Sequence, residues 1–192
     1  MTIKKNTKKN PDERPLQASF RGYVQVYTGD GKGKTTAALG QALRAAGRGL
    51  KTYIGQFLKG QDYGELQAIK KLAPYITIEQ FGRKGFIHVT KDPEDADILM
   101  ARKGLEKCLD ALLSGAYALV ILDEINVAVD FNLVTEKEIH DFLDHRPENI
   151  EVILTGRYAP GSLIRRADLV TEMKKIKHYY DQNIMARDGI ER

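Results

Sequence analysis

A glycine-rich stretch, TGDGKGKTTAALG at residues 28–40, directly follows the apolar run YVQVY. Glycines let backbone N–H groups turn toward phosphate oxygens, and the N-terminus of a following helix attracts anions. The stretch is close to the phosphate-binding pattern G-x-x-x-x-G-K-[ST], except that Thr28 stands where the first glycine belongs and glycine comes at position 29. It predicts a strand, a phosphate-binding loop and a helix, with Lys34 near phosphates and Thr35 on Mg²⁺.

Short apolar segments alternate with helical patterns along the rest of the chain. The strand candidates are GYVQVYT, KTYIGQF, ITIEQF, YALVILD and EVILTG, and the helix candidates are KTTAALGQALRAAG, GELQAIKKLA, DPEDADILMARKGLEKCLDALLSG and TEKEIHDFLDH. For the long third helix we expect Asp92 as the N-cap, Pro93 in the first turn and Gly115 as the stop. The alternation predicts an α/β fold of the P-loop NTPase type (RecA-like), a mostly parallel sheet with helices on both faces.

Length and charge suggest how the chain is divided. With 192 residues, we expect a single nucleotide-binding domain over residues 21–192, preceded by a mobile basic arm at residues 1–20. Residues 4–9 contain four lysines, which equal the net charge of +4 of the whole chain. Such an arm either contacts nucleic acid or anionic ligands or is simply solvated.

Cysteine content and hydropathy indicate the compartment. A single cysteine cannot form an internal disulfide bond, and no apolar run approaches the ~18 residues of a membrane span. We therefore expect a cytoplasmic protein that does not enter a membrane.

In a parallel sheet, ligands bind beyond the carboxyl ends of the strands, so the segments that follow the strands should meet at one edge. These segments are Thr28 to Thr35, Gln56 to Gly60, Phe81 to His88, Asp123-Glu124, and Thr155 to Arg157. Asp123 and Glu124 supply the carboxylate of a nucleotide-metal site, and the sequence leaves open which of them contacts the metal. Arg44 and Arg157 have either a nucleotide-binding or a structural role.

The chain resembles the corrinoid adenosyltransferases. The resemblance rests on the altered loop and on QFLKG, VILDEINVAVDFNLV, RPENIEVILTGR, ADLVTEM and KHYYDQNIMARDGIE, in the order of that family, and covers roughly residues 22–191. It implies transfer of the 5′-deoxyadenosyl group of ATP to the cobalt(I) of cob(I)alamin or cob(I)yrinic acid a,c-diamide, with release of inorganic triphosphate. ATP lies in the family's loop in the reverse sense to an ordinary P-loop NTPase, which accommodates an altered first turn.

The resemblance also implies roles for individual residues. Lys34 and Glu124 take part in catalysis, and Thr35, Asp123 and Glu124 form the site for Mg²⁺, or Mn²⁺ in its place. The expected ATP-binding residues are Gly29, Asp30, Gly31, Lys32, Gly33, Lys34, Thr35, Thr36 and Arg44. In GRKGFIHVT, Phe86 and His88 are the corrinoid-binding candidates, although His88 stands where a tryptophan can occur and Phe86 is otherwise a packed loop residue. Because the corrinoid supplies the nucleophile, no protein nucleophile is expected.

The family further implies a homodimer, whose N-terminal segment can cover the corrinoid site, and a reductase that supplies electrons to cobalt. Two other functions compete with this interpretation. One is a P-loop ATPase acting on nucleic acid, although the chain lacks the aromatic-rich basic stripe that stacks on single strands. The other is a nucleotide-binding regulatory module without chemistry.

Overall fold

The computed structural model describes residues 20–83 and 93–191. The strands in these ranges are β1 (Val24–Thr28), β2 (Thr52–Phe57), β3 (Ile76–Phe81), β4 (Leu119–Asp123), β5 (Glu151–Thr155) and β6 (Leu169–Glu172). The helices are α1 (Lys34–Ala46), α2 (Gly64–Lys70), α3 (Asp95–Leu113), α4 (Ile125–Asp130), α5 (Glu136–Asp144) and α6 (Gly161–Arg166), with a 3₁₀ helix at Tyr179–Gln182. The six strands form one sheet in the order β3-β2-β4-β5-β1-β6, and every strand pair is parallel.

Helices cover both faces of this sheet. On β4, Leu119 and Ile121 point toward the core formed with α1 and α2. The alternate residues Val120 and Leu122 point to the opposite core, which contains side chains of α3, α4, α5 and α6. Successive side chains of a strand point to opposite faces of the sheet. A strand that is covered by helices on both faces therefore buries apolar side chains at every position.

The five predicted strands and the four predicted helices are present, together with four elements that the sequence did not predict: β6, α4, α6 and the 3₁₀ helix. β6 has four residues, all exposed, so it lacks the apolar signal of a buried strand. α4 and α6 have six residues each, too few to show a helical period.

The N-terminal end of α3 differs from the expected one, whereas its C-terminal end is as expected. The helix begins at Asp95, with Glu94 in the N-cap position, so Pro93 precedes the first turn instead of lying in it. The expected N-cap, Asp92, lies outside the described residues. At the other end, Gly115 has a φ of +69° directly after the C-cap, as expected for a glycine that stops a helix.

The predicted arm at residues 1–20 lies outside the described residues except for Phe20, and the proposed division of the chain stays a prediction. Between residues 20 and 83 and between 93 and 191, no helix is long and apolar enough to cross a membrane.

Candidate functional site

The loops that follow β1, β2, β4 and β5 meet at the carboxyl edge of the sheet, as predicted, and line a cavity of about 630 Å³. The strand register explains the meeting, since Gln56 on β2 lies opposite Asp123 on β4 and Tyr27 on β1 lies opposite Thr155 on β5. Of the predicted segment after β3, the structure describes Phe81 to Arg83. The Arg83 guanidinium donates hydrogen bonds to Asp97 and Glu94 at the start of α3, and is not part of the cavity wall.

The altered first turn of the phosphate loop lies against Met173, the residue that directly follows β6. Thr28 is the last residue of β1, and its carbonyl oxygen accepts a hydrogen bond from the Met173 N–H at 2.8 Å. The turn begins at the next residue, Gly29, which has a φ of +96°. Gly31 donates its N–H to the Met173 carbonyl oxygen at 2.7 Å, and a Cβ on Gly31 would lie 2.7 Å from the same oxygen. Glycine is needed where the loop passes this backbone.

Two lysines of the loop occupy different environments. Lys34 is 7% exposed, and its Nζ donates to the carbonyl oxygens of Gly29 at 2.7 Å and Gly31 at 2.8 Å. Burial lowers the pKa of Lys34, while the nearby Glu124 carboxylate opposes that shift. Lys32 is exposed and donates to the Ile190 carbonyl oxygen and to Glu191. Both lysines line the cavity, and Lys34 is thus the buried cation of the loop while Lys32 is the exposed one.

Asp123 is buried and both of its carboxylate oxygens are fully engaged. Oδ1 accepts hydrogen bonds from the hydroxyls of Thr35 at 2.8 Å and Thr155 at 2.7 Å. Oδ2 accepts from Gln56 Nε2 at 3.2 Å and Lys59 Nζ at 2.9 Å. This carboxylate therefore holds the Thr35 hydroxyl in a fixed orientation at the N-terminus of α1.

Glu124, the next residue, is less buried than Asp123 and its carboxylate is less engaged. Its backbone is left-handed, with a φ of +62°, a conformation that non-glycine residues adopt rarely and that clusters at functional sites. Its N–H donates to the Thr155 hydroxyl at 2.9 Å, and its carboxylate lines the cavity without a hydrogen-bond donor among the described side chains. Burial raises the pKa of Glu124, and the neighbouring Asp123 charge adds to the shift.

Lys59 and Glu124 line the cavity, and Gln56, Asp123 and Thr155 are hydrogen-bonded to one of them or to each other behind it. We call these five residues the inner wall. The segment after β6, residues 173–191, forms the opposite side, and we call it the outer wall. The Lys175 N–H donates to Asp30 Oδ1 at 3.0 Å, and this bond is the main reason why the pKa of Asp30 is lowered. A second cavity, of about 600 Å³, opens between the outer wall, the phosphate loop and Arg157, and is lined by Asp30, Arg157, Lys175, His178, Tyr180 and Asp181.

The predicted site residues divide into three groups. Those that line the first cavity are Asp30, Gly31, Lys32, Gly33, Lys34, Thr35, Thr36, Glu124 and Arg157, while Gly29 and Asp123 contact them from behind. Arg44 lies instead in the last turn of α1, exposed and hydrogen-bonded to Gln41. Phe86 and His88 lie outside the described residues. Sequence reasoning gave no role to Lys59 or to the outer wall.

Comparison with known proteins gives the family. A family model for ATP:corrinoid adenosyltransferases (BtuR/CobO/CobP) matches residues 20–192. The chain belongs to this family. It is 34% identical over 186 residues to a corrinoid adenosyltransferase of Escherichia coli K12, covering 96% of this chain and 93% of that one. It is 36% identical over 185 residues to the corrinoid adenosyltransferase CobA of Salmonella typhimurium, covering 94% and 91%.

A third relative, a corrinoid adenosyltransferase of Sinorhizobium sp, is 37% identical over 177 residues, covering 89% of this chain and 80% of its own length. These matches confirm the predicted family and the prediction of an enzyme, and they do not favour the ATPase alternative. A solved KaiC-like protein from Pyrococcus horikoshii OT3 has a TM-score of 0.53 at 16% identity, covering 82% of this chain and 75% of that one. This likeness concerns the fold alone and confirms the P-loop α/β class.

Proposed function

We propose that this chain transfers the 5′-deoxyadenosyl group of ATP to the cobalt(I) of a corrinoid, in the biosynthesis or salvage of adenosylcobalamin. The cobalt electron pair forms the bond to the ribose C5′, the bond from C5′ to oxygen breaks, and its electron pair leaves with inorganic triphosphate. The observation that carries the proposal is the buried Lys34 ammonium within a loop at a helix N-terminus. It suits a site that stabilises a polyphosphate leaving group.

The chain need supply no nucleophile in this reaction, because the corrinoid brings its own. Its tasks are to hold the triphosphate and to place C5′ in line with cobalt. Lys34, the N-terminus of α1 and the loop amides serve the first task. Lys32 and Arg157 add positive charge at the mouth of the same cavity.

A divalent cation fits the donor set next to Lys34. Glu124 offers a carboxylate that accepts no hydrogen bond from any described side chain, and Thr35 offers a hydroxyl oxygen whose proton is directed to Asp123. Oxygen donors of this kind suit Mg²⁺, and Mn²⁺ in its place. Glu124 and Thr35 would hold the ion directly, with Asp123 orienting Thr35, and the bound ion would neutralise charge on the triphosphate. Of the two acids, we therefore propose Glu124 as the one that contacts the metal.

The remaining parts of the proposal rest on the family resemblance. Phe86 and His88 bind the corrinoid, and Arg44 contacts the nucleotide. The active protein is a cytoplasmic homodimer that receives cobalt in a form reduced by a separate reductase.

The proposal is tested by incubating the protein with ATP, Mg²⁺ and a chemically reduced corrinoid without oxygen. The corrinoid spectrum and the phosphate products are then measured. We expect adenosylated corrinoid and triphosphate in equal amounts, and neither product when the corrinoid is left out. Release of ADP and phosphate at a rate independent of corrinoid would refute the transfer reaction.

A further inference from the structure

Lys59 is a lysine whose side chain the fold holds inside the protein. It lies two residues beyond β2, in the loop that leads to α2, and its side chain is only 15% exposed. The preceding residue, Leu58, has a left-handed backbone with a φ of +60°, and its N–H donates to the Phe81 carbonyl oxygen. The following Gly60 packs against the backbone of Gly82 so closely that a Cβ would collide with it. The loop is therefore fixed on both sides of Lys59.

The ammonium group of Lys59 lies near two carboxylates, those of Asp123 and Glu65. Nζ lies 2.9 Å from Asp123 Oδ2 and 3.8 Å from Glu65 Oε1, and 5.3 Å from the centre of the Tyr63 ring. Gln56 joins the same two acids, since its Nε2 donates to both Glu65 and Asp123. A nearly buried cation that is paired and hydrogen-bonded in this way is costly to remove, because the carboxylate left behind stays buried.

Asp123 has no acceptor capacity left for a metal. An ionised carboxylate offers about four lone-pair sites, and Asp123 already accepts four hydrogen bonds, from Thr35, Thr155, Gln56 and Lys59. Lys59 supplies the one charged donor among them. Glu124, by contrast, lines the cavity, and its carboxylate is close enough to Lys59, Lys34 and Arg157 for their charges to lower its pKa against the effect of burial.

We propose that Lys59 is a positioning residue, which neutralises Asp123 and keeps it as a hydrogen-bond acceptor for Thr35 instead of a metal ligand. The site then presents one carboxylate, Glu124, to the metal. This limits the negative charge next to the triphosphate, since a second free carboxylate would attract the bare cation but repel the nucleotide. The proposal rests on the proposed function of the cavity as a site for metal and triphosphate.

Replacement of Lys59 should therefore move two affinities in opposite directions. In Lys59→Met, we expect Mn²⁺ alone, measured by electron paramagnetic resonance, to bind about tenfold more tightly because one positive charge is gone from beside the site. Inorganic tripolyphosphate without metal, measured by calorimetry, should bind about tenfold more weakly for the same reason. Lys59→Arg, which keeps the charge, should retain most of the wild-type affinity for both ligands.

Lys103→Met, on the exposed face of α3, is the matched control, since it removes the same charge far from the cavity. It should leave both affinities within about twofold of wild type. If Lys59→Met does not fold, Lys59→Gln replaces it, because glutamine keeps a hydrogen-bond donor but not the charge. Thermal unfolding without ligands identifies the folded variants.

Two results would overturn the positioning role. One is that both affinities fall together in a folded charge-removing variant. The other is that neither affinity changes. Neither measurement uses a corrinoid, so failure of wild-type protein to adenosylate would refute the proposed function and leave this inference standing.

Discussion

The two walls of the cavity are built on different physical principles. The inner wall consists of strand ends, and its acid Asp123 is 1% exposed and accepts four hydrogen bonds. The outer wall, residues 173–191, is mostly exposed and is tied to the loop by Lys32 to Glu191 and by Lys175 to Asp30. Buried polar groups must be paired, and removing one partner is expensive. Exposed ion pairs contribute little.

This difference predicts where function is sensitive. Changes in the loop interior and the inner wall should cost activity strongly, because buried groups there have few alternative partners when one is lost. Changes in the outer wall should act weakly and depend on salt, because solvent and ions screen its charges.

The largest effect is expected for Lys34→Ala. It removes the buried cation that we propose contacts the triphosphate, and kcat/KM for adenosylation should fall by about 100-fold or more, which corresponds to about 2.7 kcal/mol. Lys32→Ala is the matched control, because Lys32 is a lysine of the same loop whose side chain is 40% exposed and paired with the outer wall. In Lys32→Ala, kcat/KM for adenosylation should fall by less than about fivefold. An equal fall in kcat/KM in the two variants would contradict the expected difference between the buried lysine and the exposed lysine of this loop.

Much of the inner wall was predictable from the chain. Strand-helix alternation predicts a parallel sheet, and such a sheet collects its carboxyl ends at one edge, so Thr35 and Asp123 had to lie near each other. The distinction between Asp123 and Glu124 was not predictable. It depends on how many donors surround each acid, and Lys59 reaches Asp123 from 64 positions away in the chain.

The sequence of the outer wall did not predict that this segment lies against the phosphate loop. β6 is short and exposed, and the segment after it contains one short 3₁₀ helix at Tyr179–Gln182. Part of its contact with the loop runs through backbone groups, as in the hydrogen bond from Gly31 to Met173, and nearly every residue carries the same backbone groups. The sequence resemblance included KHYYDQNIMARDGIE, but a resemblance does not say which surface a segment covers.

A smaller loss is expected for Glu124→Gln, which keeps the shape of the side chain and removes its charge. If Glu124 holds Mg²⁺, adenosylation at low Mg²⁺ should fall by about 10- to 100-fold. Part of the loss should be recovered when Mg²⁺ is raised, because a weakened site fills again at higher concentration. Steady-state rates over a Mg²⁺ series measure this.

Glu106→Gln, on the exposed face of α3, serves as the control and should show the wild-type Mg²⁺ dependence. An unchanged Mg²⁺ dependence in Glu124→Gln would indicate that Asp123, not Glu124, contacts the metal. It would contradict the different roles proposed for these two acids of the inner wall.

The smallest effect is expected at the outer wall, in Glu191→Gln. The Arg187 side chain donates hydrogen bonds to Glu191 and lowers the pKa of Glu191 to about 2, so the carboxylate is charged at any assay pH above about 4. Because the pKa is lower than the ordinary value of 4.5, the contact stabilises the folded protein above pH 4.5 and is lost as the pH falls toward 2. The effect of the substitution on ATP binding should therefore be constant between pH 6 and 9.

The direction of that effect follows from charge. Glu191 is an anion that lies beside Lys32 at the mouth of the cavity, where we propose that ATP binds. Replacing it with glutamine releases Lys32 and removes a repulsion, so the KM for ATP should fall by at most about threefold at low salt, and the difference should vanish near 1 M salt. ATP titrations at the two salt concentrations measure it. A rise in the KM for ATP of more than tenfold that persists at high salt would contradict this prediction. It would show that substitutions in the outer wall affect binding as strongly as those in the inner wall.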